Sequence, residues 1–286
     1  SNGLLGTECN NILKQQFEVI NTDRNSLDIT KETDVQKMLN KYKPDIVLNC
    51  AAYTQVDKCE SNRDLAYNVN VTGPKILANN LKSTGGKLIH ISTDYVFNGK
   101  KRLPNGYKES DSPEPVNYYG LTKFRGEQEI MSNISNHLII RTSWLYGFHS
   151  VCFPKTILKL ALNPEIDEIK IVNDQFGSPT STNNLANTLK LLILKDATGL
   201  YHISSEGFST WHEFAKYFLE MLEIQFNIIP CTTEEYPTDA KRPVNSALSS
   251  HKLENEGHGK MENWKDQLER FVTNYKEKLI NEAKSY

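Results

Sequence analysis

Lys87-Leu88-Ile89-His90-Ile91-Ser92 is the stretch on which the fold turns. It is a short, nearly continuous apolar run, preceded by Gly85-Gly86 and running out into Thr93-Asp94-Tyr95-Val96-Phe97, the pattern of a strand buried in a parallel sheet. Upstream, Pro44-Asp45 leads into a second such run, Ile46-Val47-Leu48-Asn49-Cys50, which ends in Ala51-Ala52-Tyr53-Thr54. Between the two runs a helix is expected over roughly 62–82, with Leu65, Val69, Ile76 and Leu77 on its apolar side and a kink or break at Pro74. Downstream, a helix opening at Pro115 and running to about Asn133 leads to a third strand, His137–Thr142. Strand, helix, strand, helix, strand predicts a doubly wound parallel sheet, where ligands bind beyond the carboxyl ends of the strands. Ala51-Ala52 and Ser92-Thr93 then share one rim.

The flanks extend this plan. Gly3 and Gly6 have the spacing of the last two glycines of a G-x-x-G-x-x-G turn, which brings a pyrophosphate to a helix N-terminus. The first glycine would fall ahead of Ser1, so the chain is expected to be incomplete at its start. Phe17–Ile20 is predicted as a strand ending in Thr22-Asp23-Arg24; an acid there binds ribose hydroxyls and an arginine accepts a 2′-phosphate, so NADPH and NADH both stay open. A helix over 31–42 follows, with Asp28 or Thr30 as its cap. Past Thr142 come a helix at 153–162, a strand at 169–172, a structured loop at 173–180, a helix at 183–195 and a strand at 199–204. Ser209 or Thr210 caps a helix carrying Trp211, Phe214, Phe218 and Leu222; the segment 230–243 is marked by prolines, and a last helix covers about 264–283. The expected class is α/β: a Rossmann-like dinucleotide-binding domain (1–145 and 182–205) with a smaller α+β substrate-binding lobe (146–181 and 206–286).

Composition narrows the function. With 38% hydrophobic and 24% charged residues and a net charge of −2, the chain is neither disorder-like nor basic enough to suggest nucleic acid. No apolar run approaches the ~18 residues that span a membrane. Five scattered cysteines without C-x-x-C suit a reducing cytoplasm better than a disulfide framework, and no metal motif is present.

Tyr119 and Lys123 lie four apart in the helix that opens at Pro115 and share one face. With 13 Tyr and 26 Lys in 286 residues, such a pair arises about once by chance, and it occurs once. Its chemistry is specific: an ammonium beside a phenol favours the phenolate and is expected to lower the phenol's pKa from about 10. What lifts the pair above chance is order, since a glycine turn, a strand ending in an acid, one ending in Ala-Ala and one ending in Ser-Thr all precede it.

That order resembles the extended short-chain dehydrogenase/reductase superfamily. The blocks Asn49–Asp57, Ser92–Phe97, Arg141–Gly147, Val172–Thr180 and Arg242-Pro243 with Asn245-Ser246 are similar to the dTDP-4-dehydrorhamnose reductase family from Ser1 to about Leu253. The resemblance implies reduction of a dTDP-4-keto-6-deoxy-L-hexose with NADPH or NADH. It implies Tyr119 as proton donor, Lys123 as its electrostatic partner and ribose ligand, and Thr93 as the group orienting the substrate oxygen. Gly3, Leu4, Leu5, Asp23, Arg24, Asp28, Ile29, Ala51, Ala52, Thr54 and Ser92 would line the cofactor; Asp94, Tyr95, Trp144, Phe153, Gln175 and Arg242 would meet the nucleotide-sugar. A homodimer is a possible assembly, and no metal is implied. The chain departs from the family pattern at Cys152, where an Asn usually precedes the Phe, and at Ala247, where a basic residue is common. Tyr95 stands where a 4,6-dehydratase carries Glu. A nucleotide-sugar epimerase and a non-catalytic reductase-like subunit remain as rivals.

Overall fold

The computed structural model describes residues 2–284; Ser1, at the head of the predicted glycine turn, lies outside the described residues. The chain enters as helix α1 (Leu4–Leu13), which buries Leu5, Cys9, Ile12 and Leu13. Phe17–Ile20, predicted as a strand, has no ladder partner among the described residues: Phe17 is a bend whose N–H bonds back to Leu13 O at 3.0 Å. Helix α2 (Glu32–Tyr42) starts at Lys31 with no side-chain cap; Asp28 instead accepts from the Thr30 N–H (3.0 Å) and hydroxyl (2.7 Å), closing a local turn.

Strand β1 (Ile46–Asn49) is only partly covered, because it is the edge of the sheet rather than its middle. Beyond it come the short helix α3 (Val56–Ser61), α4 (Arg63–Tyr67), a π turn (Asn68–Thr72) and α5 (Gly73–Lys82). The π turn re-phases the predicted helix. Leu65 ends up 38% exposed, while Ala66, Asn70 and Val71 turn inward. Strand β2 (Lys87–Thr93) is buried along nearly its whole length. Helix α6 (Tyr118–Asn133) begins three residues after Pro115: Asn117 is the cap, its side chain accepting from the Gly120 N–H at 2.8 Å. Strand β3 (His137–Thr142) follows.

The rest runs through β4 (Leu145–Tyr146), α7 (Phe153–Ala161), β5 (Glu168–Val172), β6 (Phe176–Gly177), β7 (Thr180–Ser181), α8 (Thr182–Leu194) and β8 (Gly199–His202). It closes with β9 (Ser209–Thr210), α9 (Trp211–Leu222), β10 (Asn227–Cys231), α10 (His251–Asn255) and α11 (Trp264–Lys284). Thr210 caps α9, accepting from the Glu213 N–H at 3.0 Å. The main sheet is parallel, in the order β1-β2-β3-β8. One core joins α1, α8 and one sheet face; another joins α2, α5 and α6 to the sheet through Val35, Leu77, Leu81, Ile130 and Ile139. A third, separate core gathers α7, α9 and α11 around Tyr146, Phe214, Phe218 and Phe271, over a two-stranded parallel β5–β10 pair. β10 had no counterpart in the sequence reading, because Pro230 hides it; the proline sits on a two-stranded ribbon, where a missing ladder N–H is tolerated.

Candidate active site

The carboxyl ends of β1 and β2 form the rim on which the candidate groups meet. Helix α6 reaches that rim because it carries glycine at two close approaches. A Cβ on Gly120 would stand 2.0 Å from Tyr95 O, and one on Gly126 would stand 2.2 Å from Asn70 O. Asn70, turned in by the π turn, in turn clamps the loop after β1: it accepts from the Tyr53 N–H (2.8 Å) and donates to Tyr53 O (3.1 Å) and Thr122 Oγ1 (3.1 Å).

Tyr119 and Lys123 are thereby set under the strand ends. The Tyr119 ring meets Tyr95 edge to face at 5.9 Å, and Thr93 is near enough to act on its phenol. Burial pushes that phenol above its usual pKa, the Thr93 contact opposes this and Asp94 adds to it. The lowering expected from Lys123 is therefore not what the structure displays: burial sets the direction of the shift, upward. Lys123 is 1% exposed and donates to Ile91 O at 2.6 Å, with His90 Nε2 at 3.1 Å. Burial lowers its pKa to about 8, against the raising influence of Glu127 and Cys50.

Thr93 donates to Asp94 Oδ1 at 3.0 Å and accepts from the Tyr95 N–H at 3.2 Å. Burial raises Asp94 to about 7, with Ser246 and Thr93 hydrogen bonds opposing. Its Oδ2 is buried and, among the described residues, has no partner. Ser92 does not face the rim: its hydroxyl donates to Glu127, a fully buried carboxylate that Arg141 grips at 2.9 and 2.6 Å. That hydroxyl is committed to the layer beneath the site.

The cofactor candidates divide. Ala51 and Thr54 are exposed and Ala52 half-buried at the end of β1, an open, side-chain-poor shelf. Gly3 caps α1, and Asn2 beside it donates to Asp23 Oδ2 at 3.0 Å, so the acid and the glycine turn do come together. Asp23 also ties its own turn, and hydrogen bonds from Ser26 hold its carboxyl below the usual range. Arg24 is exposed. Leu4 is half-buried, whereas Leu5 and Ile29 are core side chains, leaving only their backbone for a ligand. An open shelf, a carboxylate beside a helix N-terminus and a buried amine below fit a dinucleotide.

The substrate candidates divide too. Trp144, with φ of 47°, lays its ring on Trp211 at 3.5 Å, and Phe153 packs on Trp211 at 4.6 Å and Phe214 at 5.8 Å. Phe153 thus belongs to the aromatic core of the second lobe. Gln175 is buried and donates to Thr233 Oγ1 at 3.0 Å. Arg242 reaches back across the rim to Asp57 Oδ2 at 2.7 Å and to Ala240 O at 3.0 Å. Cys152 precedes α7 and donates to Gly147 O at 3.4 Å; Ala247 is 4% exposed, its carbonyl accepting from the Tyr107 N–H. Among the described residues no cluster of three His, Cys, Asp or Glu could hold a metal, and no helix is long and apolar enough to cross a membrane.

His90, Glu127, Arg141 and Asp57 were not singled out from the sequence. A signal was present for the first and third: His90 and Arg141 interrupt apolar strands, and a charged or titratable group in a buried strand needs a partner.

A parallel α/β sheet with a Tyr-x-x-x-Lys helix under its strand ends defines the extended short-chain dehydrogenase/reductase class of oxidoreductase. The model of the RmlD substrate binding domain matches residues 1–277. The chain is 38% identical to the spore coat polysaccharide biosynthesis protein SpsK of Bacillus subtilis over 94% of each, and 37% identical to a dTDP-4-dehydrorhamnose reductase of Escherichia coli over 83% of this chain and 82% of that one. A solved dTDP-4-dehydrorhamnose reductase of Bacillus anthracis, in complex with NADP, superposes with a TM-score of 0.92 at 39% identity, covering 96% of each chain. The chain belongs to the dTDP-4-dehydrorhamnose reductase family.

Proposed function

We propose that the protein reduces the C4 ketone of dTDP-6-deoxy-L-lyxo-4-hexulose to dTDP-L-rhamnose, with NADPH or NADH. The observation that carries this reading is the convergence of Thr93, Tyr119 and Lys123 at the end of β2, in a chain of this family. Bound beside them, the nicotinamide supplies a hydride. The residues do the rest. Tyr119 keeps its proton at neutral pH because burial disfavours the phenolate, and gives it up to the sugar oxygen when negative charge develops there. Thr93 turns its hydroxyl from Asp94 to that same oxygen. Lys123 holds the ribose and balances charge at Tyr119. Ala51, Ala52 and Thr54 leave room for the flat ring, and Asp23 and Arg24 lie where the adenosine ribose binds. Trp144, over the rim, packs on the nucleotide-sugar, and Arg242 meets its diphosphate.

The relative named for spore-coat polysaccharide synthesis supports a role in making a cell-surface or spore-coat polymer. Free cysteines support a cytoplasmic enzyme. A homodimer is the proposed assembly, read by sedimentation. The deciding assay is oxidation of NADPH and of NADH with the 4-keto sugar, followed by NMR of the product. No turnover by the full-length protein would sink the reductase reading; C4 epimerisation without net oxidation would replace it.

A further inference from the structure

Beneath Lys123 the sheet holds a polar pair to which nothing above assigns a role. Asn49 ends β1, and His90 is its register partner on β2. They are 4% and 0% exposed. The Ala51 N–H donates to Asn49 Oδ1 at 3.1 Å, which fixes the orientation of the amide. Its Nδ2, carrying only N–H bonds, therefore faces His90 Nδ1 at 3.1 Å. Nδ1 must accept, so the neutral ring carries its proton on Nε2. A second proton is disfavoured, since burial and the nearby Lys123 hold His90 well below the ordinary imidazole pKa. The Nε2–H then points at Lys123 Nζ, 3.1 Å away. An ammonium offers three N–H bonds and no lone pair, so it meets this N–H badly. An uncharged amine accepts it and still donates to Ile91 O.

We propose that Asn49 and His90 are positioning residues that set the charge on Lys123: the amide locks the imidazole as its Nε2–H tautomer, and that N–H favours the uncharged amine. Among the described residues, the other titratable groups that act on Lys123 are Glu127 on its own helix and Cys50 after β1; Glu127 is held by Arg141. Lys123 is thus an amine that titrates near pH 8 and gains charge when a negative charge grows beside it, rather than a fixed cation. This rests on the reductase reading only for the place of Lys123 in the reaction.

The test is ¹⁵N NMR of the histidine rings in the full chain, with His90 assigned by its loss in His90→Gln, and ¹³Cε NMR of lysine to follow Lys123, assigned by Lys123→Met. Wild type is expected as the Nε2–H tautomer at pH 7. Asn49→Ala frees the ring to present its lone pair, and Asn49→Asp forces it to; in both, the Lys123 midpoint is expected to rise by about one pH unit or more. The alkaline break in kcat for the keto sugar should rise by the same interval. A wild-type His90 found as Nδ1–H or as imidazolium overturns the proposal, as does a Lys123 midpoint unmoved in Asn49→Ala. If the Asn49 variants do not fold, the wild-type tautomer alone decides. The NMR signals need no turnover, so a protein inactive on the keto sugar would sink the reductase reading and leave this one to its own outcome.

Discussion

Lys123 and Arg141 are both buried cations on neighbouring elements, 1% and 2% exposed, and they keep opposite company. Arg141 has a bidentate partner in Glu127, which also accepts from Ser92, and its guanidinium lies near His202 Nε2 at 3.4 Å. Burial and the Arg141 charge lower His202 to about 3, so no second cation competes there. Lys123 has a carbonyl and an imidazole and, among the described residues, no carboxylate within salt-bridge distance. A buried charge that is fully paired is fixed; one left underpaired can change its state within the working pH range. The first builds the floor beneath the rim; the second is the cation that the proposed reaction uses.

The sharpest way to separate floor from chemistry is Tyr119→Phe. It removes only a hydroxyl, so the fold and the Arg141 network should be untouched. The rate of keto-sugar reduction is expected to fall by roughly 10²–10⁴-fold, the usual worth of a placed acid. A rate within twofold of wild type would end the acid role of Tyr119. Glu127→Ala is the converse. It strands Arg141 without its partner and should cost about 3–5 kcal/mol of stability in denaturant unfolding. A loss below about 1 kcal/mol would mean that Arg141 is not a structural cation at all.

Lys123→Met should move stability the other way. The folded pKa of about 8 lies below the ordinary 10.5, so between those values the unfolded chain binds more protons and wild-type stability rises with pH. Below pH 8 the cost of holding the ammonium is fully present, on the order of 3 kcal/mol, less about 1 for the bond to Ile91 O. The variant is therefore expected to be more stable than wild type by about 2 kcal/mol at pH 7, the gap closing as pH rises from 8 to 10.5, while activity is lost. A destabilised variant at pH 7 would show Lys123 to be paired as well as Arg141 is.

The sheet was legible because each inner strand is a mostly apolar run, broken only once, by His90 in β2 and by Arg141 in β3, and the rim followed from the order of the strand ends. The floor was not legible. Glu127 reads as one more surface glutamate on an amphipathic helix until Arg141 and Ser92 are known to converge on it, and that convergence comes from strand register, which sequence spacing does not carry. Phe17–Ile20 has the composition of a strand, but a strand also needs a ladder partner, and none lies among the described residues. The direction of the phenol's shift is not legible from an i, i+4 pair, which reports proximity to a charge and nothing about burial, the first influence on Tyr119.

A third cation tests where the comparison ends. Arg242 bonds to Asp57, but at the lip of the cleft, with side chains 15% and 41% exposed. Its pairing is screened, so breaking it should cost only about 0–1 kcal/mol of stability. Asp57 also accepts from the Ala240 N–H at 3.0 Å, which ties the 230–243 segment to the rim just past the Ala51-Ala52 shelf. On the proposed role of Arg242, a diphosphate arriving there would compete with Asp57 for the same guanidinium. Arg242→Ala is therefore expected to raise KM for the nucleotide-sugar by roughly tenfold, a charge-assisted bond lost from ground and transition states alike, with kcat within about twofold. Asp57→Asn keeps the side-chain shape and one acceptor, for the Ala240 N–H, and removes the charge and the oxygen that hold Arg242, so its KM should stay level or fall. A drop in kcat at constant KM in Arg242→Ala would place this guanidinium with Lys123, on the chemistry; a KM unmoved in both variants would leave it as a clasp between the rim and the 230–243 segment.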